Sequence, residues 1–152
     1  WLSGRGEMIP NEGCYCELDP NVVDRWGIPV LRFHWKWSEH ELNQARHHNQ
    51  TFVEIIEKMG GKVTSTIPDR NSDHGLKVGG EIIHEAGCTR MGDSPRTSVL
   101  NKWCQAHDCK NLFVADSGPF VSNAHKNMTW TILALSMRTS EHIAEERNKG
   151  NL

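Results

Sequence analysis

The sequence predicts an α+β fold, in which a partial antiparallel sheet with a covering helix is followed by a strand–loop–helix segment. Apolar and polar side chains alternate along residues 30–37, and residues 13–18 alternate around Tyr15 and two cysteines. Such alternation is typical of half-buried strands. Apolar residues recur every three to four positions over residues 38–59, which indicates an amphipathic helix. Residues 128–146 show a second helical repeat near the end of the chain.

The first half contains the clearest elements. The strand over residues 30–37 places four apolar side chains on one face: Leu31, Phe33, Trp35 and Trp37. A helix is expected to begin after Ser38, because Ser38 and Glu41 have the spacing of a capping box. Gly60 and the glycine after it are expected to end that helix. A further strand is predicted over residues 62–67.

A polar, glycine-rich loop over residues 69–80 predicts a boundary between two units. Residues 1–80 would form the sheet and its helix, and residues 81–152 would form the second unit. Within the second unit, the apolar run Asn111–Asp116 predicts a buried strand. The terminal helix follows it after a polar loop.

Composition narrows the possible functions. The 152 residues suit one compact domain or part of a larger protein. A net charge of −2 and a pI of about 6.5 argue against a nucleic-acid-binding surface. No apolar stretch reaches the length of a membrane span. The five cysteines are an odd number, so they do not make a closed disulfide framework. Their number therefore does not indicate whether the protein works in an oxidising or a reducing compartment.

Two polar segments are candidates for a functional site: residues 84–92 and residues 116–129. Each follows an apolar run and carries side chains suited to proton transfer or hydrogen bonding. Taken alone, a histidine after two isoleucines, such as His84, is more often a structural residue than a base. The residues by themselves therefore leave the function open.

Four segments resemble motifs of the glucose–methanol–choline (GMC) family of FAD-dependent oxidoreductases, in the family's order and with similar spacing. They are His84–Gly92, Ser98–Asn101, Asn111–Ser117 and Asn127–Ile132. The resemblance covers residues 81–146 well and residues 5–62 more loosely, and it points to the gluconate- and sugar-dehydrogenase-like branch. The chain departs from the family at Met128, where a proline is usual, and at Cys88, where glycine or threonine is common.

The resemblance implies specific roles. His84 would be the catalytic base, since the ordinary pKa of an imidazole, about 6.5, lies near working pH. Asn127 would be the second catalytic residue and would orient the substrate oxygen, with His125 as its rival. The implied FAD-binding residues are Asp116, Ser117, Asn127, Met128 and Thr129.

By the same resemblance, residues 81–152 would complete an FAD-binding domain, and residues 1–80 would lie on the substrate side. The implied reaction oxidises a CH–OH group of an alcohol, sugar or polyol, with transfer of a hydride to the flavin and an electron-acceptor protein as a further partner. The glycine-rich turn that binds the ADP half of FAD is missing from this sequence. We therefore expect the chain to be a C-terminal part that binds FAD poorly on its own.

Three alternatives remain open at the level of sequence. Cys104, His107 and Cys109, together with His84 and Cys88, could hold a metal, although their spacing fits no common zinc pattern. An aromatic surface could bind a sugar or protein without catalysis: Trp26, Trp35, Trp37 and Trp103. We expect these tryptophans instead to form the core of the sheet. A thiol hydrolase built on Cys88 lacks a visible orienting partner.

Overall fold

The computed structural model describes residues 2–152 and confirms the α+β class. Its regular elements are β1 (Tyr15–Val23), β2 (Pro29–His34), α1 (Glu39–Lys58), a 3₁₀ segment (Arg70–Gly75) and α2 (Thr129–Asn148). No helix in this part of the chain combines the length and apolar character needed to cross a bilayer. The division at residue 80 and the completion of an FAD domain remain predictions.

The sheet is a two-stranded antiparallel hairpin of β1 and β2. Cys16 lies opposite Phe33 and Leu18 lies opposite Leu31, so one face of the hairpin carries mainly apolar side chains. That face is open: Leu18 and Phe33 are each 64% exposed. The prediction that a helix covers the sheet is therefore wrong within residues 2–152, because α1 packs against the 3₁₀ segment instead.

The first helix forms as its sequence predicts. The Ser38 side chain accepts a hydrogen bond from the backbone of α1, and the Glu41 carboxylate accepts one from the Ser38 backbone, which is a complete capping box. Leu42 and Ala45 are buried on one side of the helix. Asn49 donates to the His74 carbonyl oxygen at 3.0 Å, so α1 is also tied to the 3₁₀ segment.

Two predicted strands are absent, and a third is shorter than predicted. Residues 62–67 form no strand, and residues 111–116 make only one isolated bridge, between Gln105 and Phe113. The second hairpin strand ends at His34 rather than Trp37. A strand needs a neighbouring backbone with which to pair, and alternation in the sequence does not supply one.

The core lies in the second half. It consists of Leu100, Cys104 and Ala106, with Met91, Val114 and Leu135 packed against them. Helix α2 joins this core through Thr139, whose hydroxyl donates to the Trp103 carbonyl oxygen at 3.2 Å. The opposite face of α2 is apolar but open to solvent, with Trp130 82% and Met137 67% exposed.

The tryptophans do not form the core of the sheet, contrary to the prediction. Trp26 is 69% exposed at the hairpin turn, with the Arg25 guanidinium 3.8 Å from its ring centre. The Trp103 ring stacks on the His142 ring of α2, with 4.5 Å between the ring centroids. Both residues lie far from the hairpin in sequence. A two-stranded hairpin offers no second layer under which such large rings could be buried.

Candidate active site

His84 and Asn127 come together although 43 residues separate them in the sequence. The His84 Nε2 atom lies 3.0 Å from the Asn127 Oδ1 atom. His84 is half-buried, and Asn127 is exposed one residue before the N-cap of α2. The predicted pair therefore shares one site, with a ring nitrogen and a carboxamide facing the same point.

Backbone pairing between two loops holds the His84 segment in place. The N–H groups of Gly87, Thr89 and Met91 donate to the carbonyl oxygens of residues 117, 118 and 119 at 3.0–3.2 Å. The Ser117 hydroxyl donates to the Glu85 carbonyl oxygen at 2.7 Å. The two polar segments predicted from sequence are thus bound directly to each other.

Gly87 is required at the turn in this pairing. Its φ is +83°, a left-handed conformation that residues with a side chain rarely adopt. A Cβ atom there would also lie 3.2 Å from the Phe120 carbonyl oxygen. The turn that follows His84 therefore depends on a residue without a side chain.

Arg5 is a third member of the site, and no motif in the sequence pointed to it. Its Nη1 atom lies 3.1 Å from His84 Nε2 and 3.0 Å from Asn127 Oδ1. Nη1 carries two hydrogens, so it can donate to both atoms when the proton of a neutral His84 ring is on Nδ1. In that tautomer, the lone pair of Nε2 faces the site. Nδ1 is buried without a hydrogen-bond partner in the described chain.

The segment that carries Arg5 is anchored on both sides. The Glu7 backbone pairs with the Gln44 side chain of α1, and the Ile9 N–H donates to the Glu41 carboxylate at 3.1 Å. On the other side, the backbones of Met8 and Asn123 exchange hydrogen bonds of 2.9 and 3.1 Å. Arg5 is therefore held between α1 and the loop that leads to Asn127.

Gly6 allows this segment to approach α1 closely. A Cβ atom at position 6 would lie only 2.6 Å from the Gln44 Oε1 atom. The same Gln44 side chain donates to the Glu7 carbonyl oxygen at 2.8 Å, so it cannot move away without losing that bond. A larger residue at position 6 would disturb the contact that positions Arg5.

Two cavities meet at His84. A cavity of about 420 Å³ is bordered by the Arg5 segment, α1, the 3₁₀ segment and residues 123–126. A second cavity of about 370 Å³ lies beside the start of α2. His84 borders both, so its ring is placed where a group in one cavity would meet a group in the other. Volumes of this size accommodate small organic ligands.

The second cavity contains most of the residues predicted to bind FAD. Ser117, Asn127, Met128 and Thr129 border it, together with Ile83, His84, Glu85 and Ile132. Asp116 does not border either cavity; its carboxylate accepts a hydrogen bond from the Gly118 N–H at 2.6 Å. His125, the rival of Asn127, borders the larger cavity instead.

The start of α2 leaves electron-poor N–H groups at this second cavity. Met128 is the N-cap and supplies no side-chain hydrogen bond, and the first intrahelical bond joins the Ile132 N–H to the Met128 carbonyl oxygen. The first N–H groups of the helix are therefore free to interact with an electronegative ligand edge.

The side chains of His107 and Cys109, which could have held a metal, make hydrogen bonds within the chain instead. His107 Nε2 lies 3.0 Å from the Ser98 hydroxyl and 3.2 Å from the Gly92 carbonyl oxygen, and Cys109 bonds to Asn111. Over residues 2–152, no three histidine, cysteine or acidic side chains gather in a geometry that would hold a metal.

Cys88 is poorly suited to act as a nucleophile. Cys88 is exposed, yet neighbouring groups displace part of the water around its thiol. This desolvation, with a further contribution from Cys16, raises the pKa of the Cys88 thiol above its usual value. The thiol therefore stays protonated at neutral pH, whereas the thiolate is the reactive form.

Comparison with known proteins identifies the family. The sequence profile of the family described as GMC oxidoreductase matches residues 10–136. The chain is 32% identical to 2-methyl-1,2-propanediol dehydrogenase of Mycolicibacterium austroafricanum, over 91% of this chain and 24% of that protein. It is 28% identical to the fructose dehydrogenase large subunit of Gluconobacter japonicus, over 95% of this chain and 25% of that protein.

A third relative is the gluconate 2-dehydrogenase flavoprotein of Pantoea cypripedii, which is 28% identical over 91% of this chain and 23% of that protein. The chain thus spans about a quarter of the length of these relatives. The profile match covers well over half of the chain, and the resemblance predicted from the four motifs is confirmed. The chain belongs to the GMC oxidoreductase family.

Proposed function

We propose that this chain is the C-terminal part of an FAD-dependent oxidoreductase that converts a CH–OH group of a sugar, polyol or other alcohol to a carbonyl. The observation that carries the proposal is the 3.0 Å contact of His84 with Asn127 at the junction of two cavities. In this arrangement a substrate in the larger cavity presents its hydroxyl to His84, and the second cavity receives the flavin.

His84 is the base. Its neutral Nε2 atom takes the hydroxyl proton, which raises the electron density on the substrate oxygen and weakens the neighbouring C–H bond. The alcohol loses this proton and one hydride, and bound FAD supplies the chemistry of a two-electron hydride acceptor. The imidazole ring is fixed by the loop pairing around Gly87, so proton transfer does not wait for the ring to be ordered.

Asn127 orients the substrate. A carboxamide can donate through Nδ2 and accept through Oδ1, so it can bind a hydroxyl and the carbonyl formed from it. Its position next to Nε2 restricts the substrate oxygen to one place between the two side chains. Asn127 therefore orients the reacting hydroxyl, whereas His84 accepts its proton.

The residues at the second cavity fit a flavin. The Asn127 carboxamide and the free N–H groups after Met128 are neutral donors around one opening. Such donors suit the electron-rich edge of a flavin ring, and the positive end of α2 favours the negative charge that arises on reduction. The Ser117 hydroxyl, whose proton goes to the Glu85 carbonyl oxygen, can still accept a hydrogen bond there. Asp116 belongs to the proposed FAD set through family resemblance alone.

The remainder of a longer polypeptide would supply the rest of the FAD site. The chain spans about a quarter of its relatives' length and lacks the glycine-rich turn for the ADP half. Two open apolar faces, on the hairpin and on α2, support this proposal, since exposed apolar surfaces of this kind mark interfaces.

The proposal is tested in the full-length flavoprotein that contains this segment. Anaerobic mixing with a polyol or sugar should bleach the flavin absorbance, and His84→Asn should slow this bleaching by about 10²- to 10⁴-fold without loss of bound FAD. His47→Asn is the matched control, because His47 is exposed on α1. An unchanged bleaching rate in His84→Asn would exclude His84 as the base.

A further inference from the structure

Two cysteine thiols meet where the hairpin approaches the loop that carries His84. The S–H group of Cys88 donates a hydrogen bond to the Cys16 sulfur, although Cys16 belongs to β1 and Cys88 follows His84 by four residues. Both cysteines are free; Cys16 is half-buried and Cys88 is exposed. The proposed oxidation of an alcohol uses neither thiol, so the contact calls for an explanation of its own.

The backbone positions each cysteine on its own side of this contact. Cys16 lies opposite Phe33 in the hairpin, so its side chain projects from the apolar face. The residues on either side of Cys88 donate through their backbone N–H groups to the carbonyl oxygens of residues 117 and 118, at 3.1 and 3.2 Å. The two sulfur atoms are therefore brought together by segments that are held independently of the thiols.

The other three cysteines are engaged elsewhere. The Cys14 thiol donates to the Lys36 carbonyl oxygen at 3.5 Å, and the Cys109 thiol donates to the Asn111 side chain at 3.1 Å. Cys104 is buried in the core. The mutual contact thus distinguishes Cys16 and Cys88 from the remaining thiols of the chain.

We propose that Cys16 and Cys88 form a reversible disulfide bond that fastens the hairpin to the loop of the catalytic base. The pair is a modification site, and its oxidant is a small-molecule disulfide of the class of oxidised glutathione. The inference goes beyond the proposed function, because the bond forms without substrate or flavin. Since the two residues lie far apart in sequence, the bond also restricts the unfolded chain over a long loop.

Two thiol–disulfide exchanges account for every atom and electron. The thiolate of the exposed Cys88 attacks one sulfur of oxidised glutathione, which forms a mixed disulfide and releases one glutathione thiolate. The Cys16 thiolate then attacks the Cys88 sulfur, which forms the protein disulfide and releases the second glutathione thiolate. The two cysteines together lose two protons and two electrons, and one glutathione disulfide becomes two glutathione thiols.

The first exchange limits the rate at neutral pH. Desolvation, together with the neighbouring Cys16 and Asp116, raises the pKa of the Cys88 thiol, so little of it is thiolate. Mildly alkaline solution increases the thiolate fraction and therefore the exchange rate. The pair thus resists brief oxidation and responds to sustained oxidising conditions.

The bond adds a covalent tether to a loop that is otherwise held by backbone hydrogen bonds to residues 117–119. Local opening of this loop exposes its N–H groups to exchange with solvent. We expect the tether to make opening rarer, so the amide hydrogens of residues 87–91 should exchange about tenfold more slowly in the oxidised than in the reduced protein.

The test treats the full-length flavoprotein that contains this segment with oxidised glutathione in mildly alkaline solution. After the remaining thiols are blocked with N-ethylmaleimide, proteolysis and mass spectrometry should find one peptide pair joined through Cys16 and Cys88, which dithiothreitol separates. In Cys16→Ser, glutathione should instead stay bound to Cys88, because the resolving thiol is missing. Cys109→Ser is the matched control and should keep the crosslink, since the exposed Cys109 bonds to Asn111.

A glutathione adduct on Cys88 of the unaltered protein without the crosslink, or no reaction at either cysteine, would overturn the proposal. Hydrogen exchange of the same samples tests the tether: equal exchange of residues 87–91 before and after oxidation would show that the bond does not hold the loop. Neither readout involves turnover. An enzyme that oxidises no alcohol would therefore contradict the proposed function and leave this test intact.

Discussion

At the scale of single residues, the site depends on three side chains that the chain brings together from distant positions. Arg5 lies 79 residues from His84 and 122 residues from Asn127 in sequence. Their mutual distances of 3.0 to 3.1 Å place one donor between two acceptors. Replacing any one of them therefore changes the hydrogen bonding of the other two.

Asn127 and His125 should differ in what their replacement changes. Asn127→Ala should lower the limiting rate of flavin bleaching by about tenfold, since the lost hydrogen bond orients the reacting hydroxyl. His125→Ala should mainly weaken substrate binding, because His125 borders the larger cavity and forms no hydrogen bond with His84 in the described chain. The reverse result would make His125 the second catalytic residue. Rapid-mixing kinetics at several substrate concentrations separates the two effects.

Sequence sufficed to select His84 and Asn127 as candidates, because each lies in a segment that resembles a family motif. It did not suffice for Arg5, whose role depends on the pairing of Met8 with Asn123 and of Glu7 with Gln44. These contacts join segments far apart in the chain, and no local pattern reports them. The Gly4-Arg5-Gly6 stretch predicts irregular backbone but not which part of the protein that backbone contacts.

At the scale of elements, the loop pairing behind His84 depends on Gly87. Gly87→Ala should destabilise the protein by about 1–2 kcal/mol from the left-handed φ, with an added cost from the Phe120 carbonyl contact. Gly27→Ala is the matched control, since Gly27 has nearly the same φ, +82°, but nothing within 4 Å of the added Cβ. Urea denaturation of both variants measures the difference. Equal losses would show that the Phe120 contact has no effect.

The capping box of α1 should make the free energy of unfolding depend on pH in the acidic range. Burial alone would raise the pKa of Glu41, but hydrogen bonds from the Ser38 hydroxyl and the backbone N–H groups of Ile9 and Ser38 outweigh it and hold the pKa below its usual value. The carboxylate therefore stabilises the fold above pH 4.5, and this contribution is lost as the pH falls through the lowered pKa. Glu41→Gln should flatten the pH dependence of the urea midpoint in this range.

Glu54→Gln provides the comparison for that measurement, because Glu54 is exposed on the same helix. A Glu41→Gln protein that loses stability on acidification as steeply as the unaltered protein would contradict the assignment. The helix itself was predictable, since a capping box and an amphipathic repeat act within a few residues. The strands over 62–67 and 111–116 were not, since a strand depends on a partner that alternation does not specify.

At the scale of the whole molecule, few side chains form the core and many apolar ones remain outside it. Residues 2–152 bury a small cluster around Leu100 and a few side chains of α1, whereas Trp130, Leu133 and Met137 line the open side of α2. The 152-residue chain should therefore purify without flavin colour, bind hydrophobic dyes and unfold without a sharp transition. A yellow preparation with one flavin per chain would contradict the proposal that another segment completes the FAD site.

Removing the exposed apolar side chains of α2 should improve the solubility of the isolated chain but lower the stability of the full-length flavoprotein. Replacing Trp130, Leu133 and Met137 together by glutamine should make the isolated chain more soluble, because the exposed apolar surface is removed. The same replacement should lower the melting temperature and FAD retention of the flavoprotein. Glu141→Gln and Glu145→Gln are controls on exposed polar positions of α2. A flavoprotein unaffected by the triple replacement would show that this face is not covered.

The hairpin has a further consequence for synthesis and turnover. Within residues 2–152, β1 and β2 pair only with each other, so each keeps one row of backbone N–H and C=O groups free. A newly made or proteolytically released segment would present both rows beside the apolar Leu18–Phe33 face, and another copy could add to either edge. This element would then nucleate fibrous aggregates wherever no other segment covers its two edges.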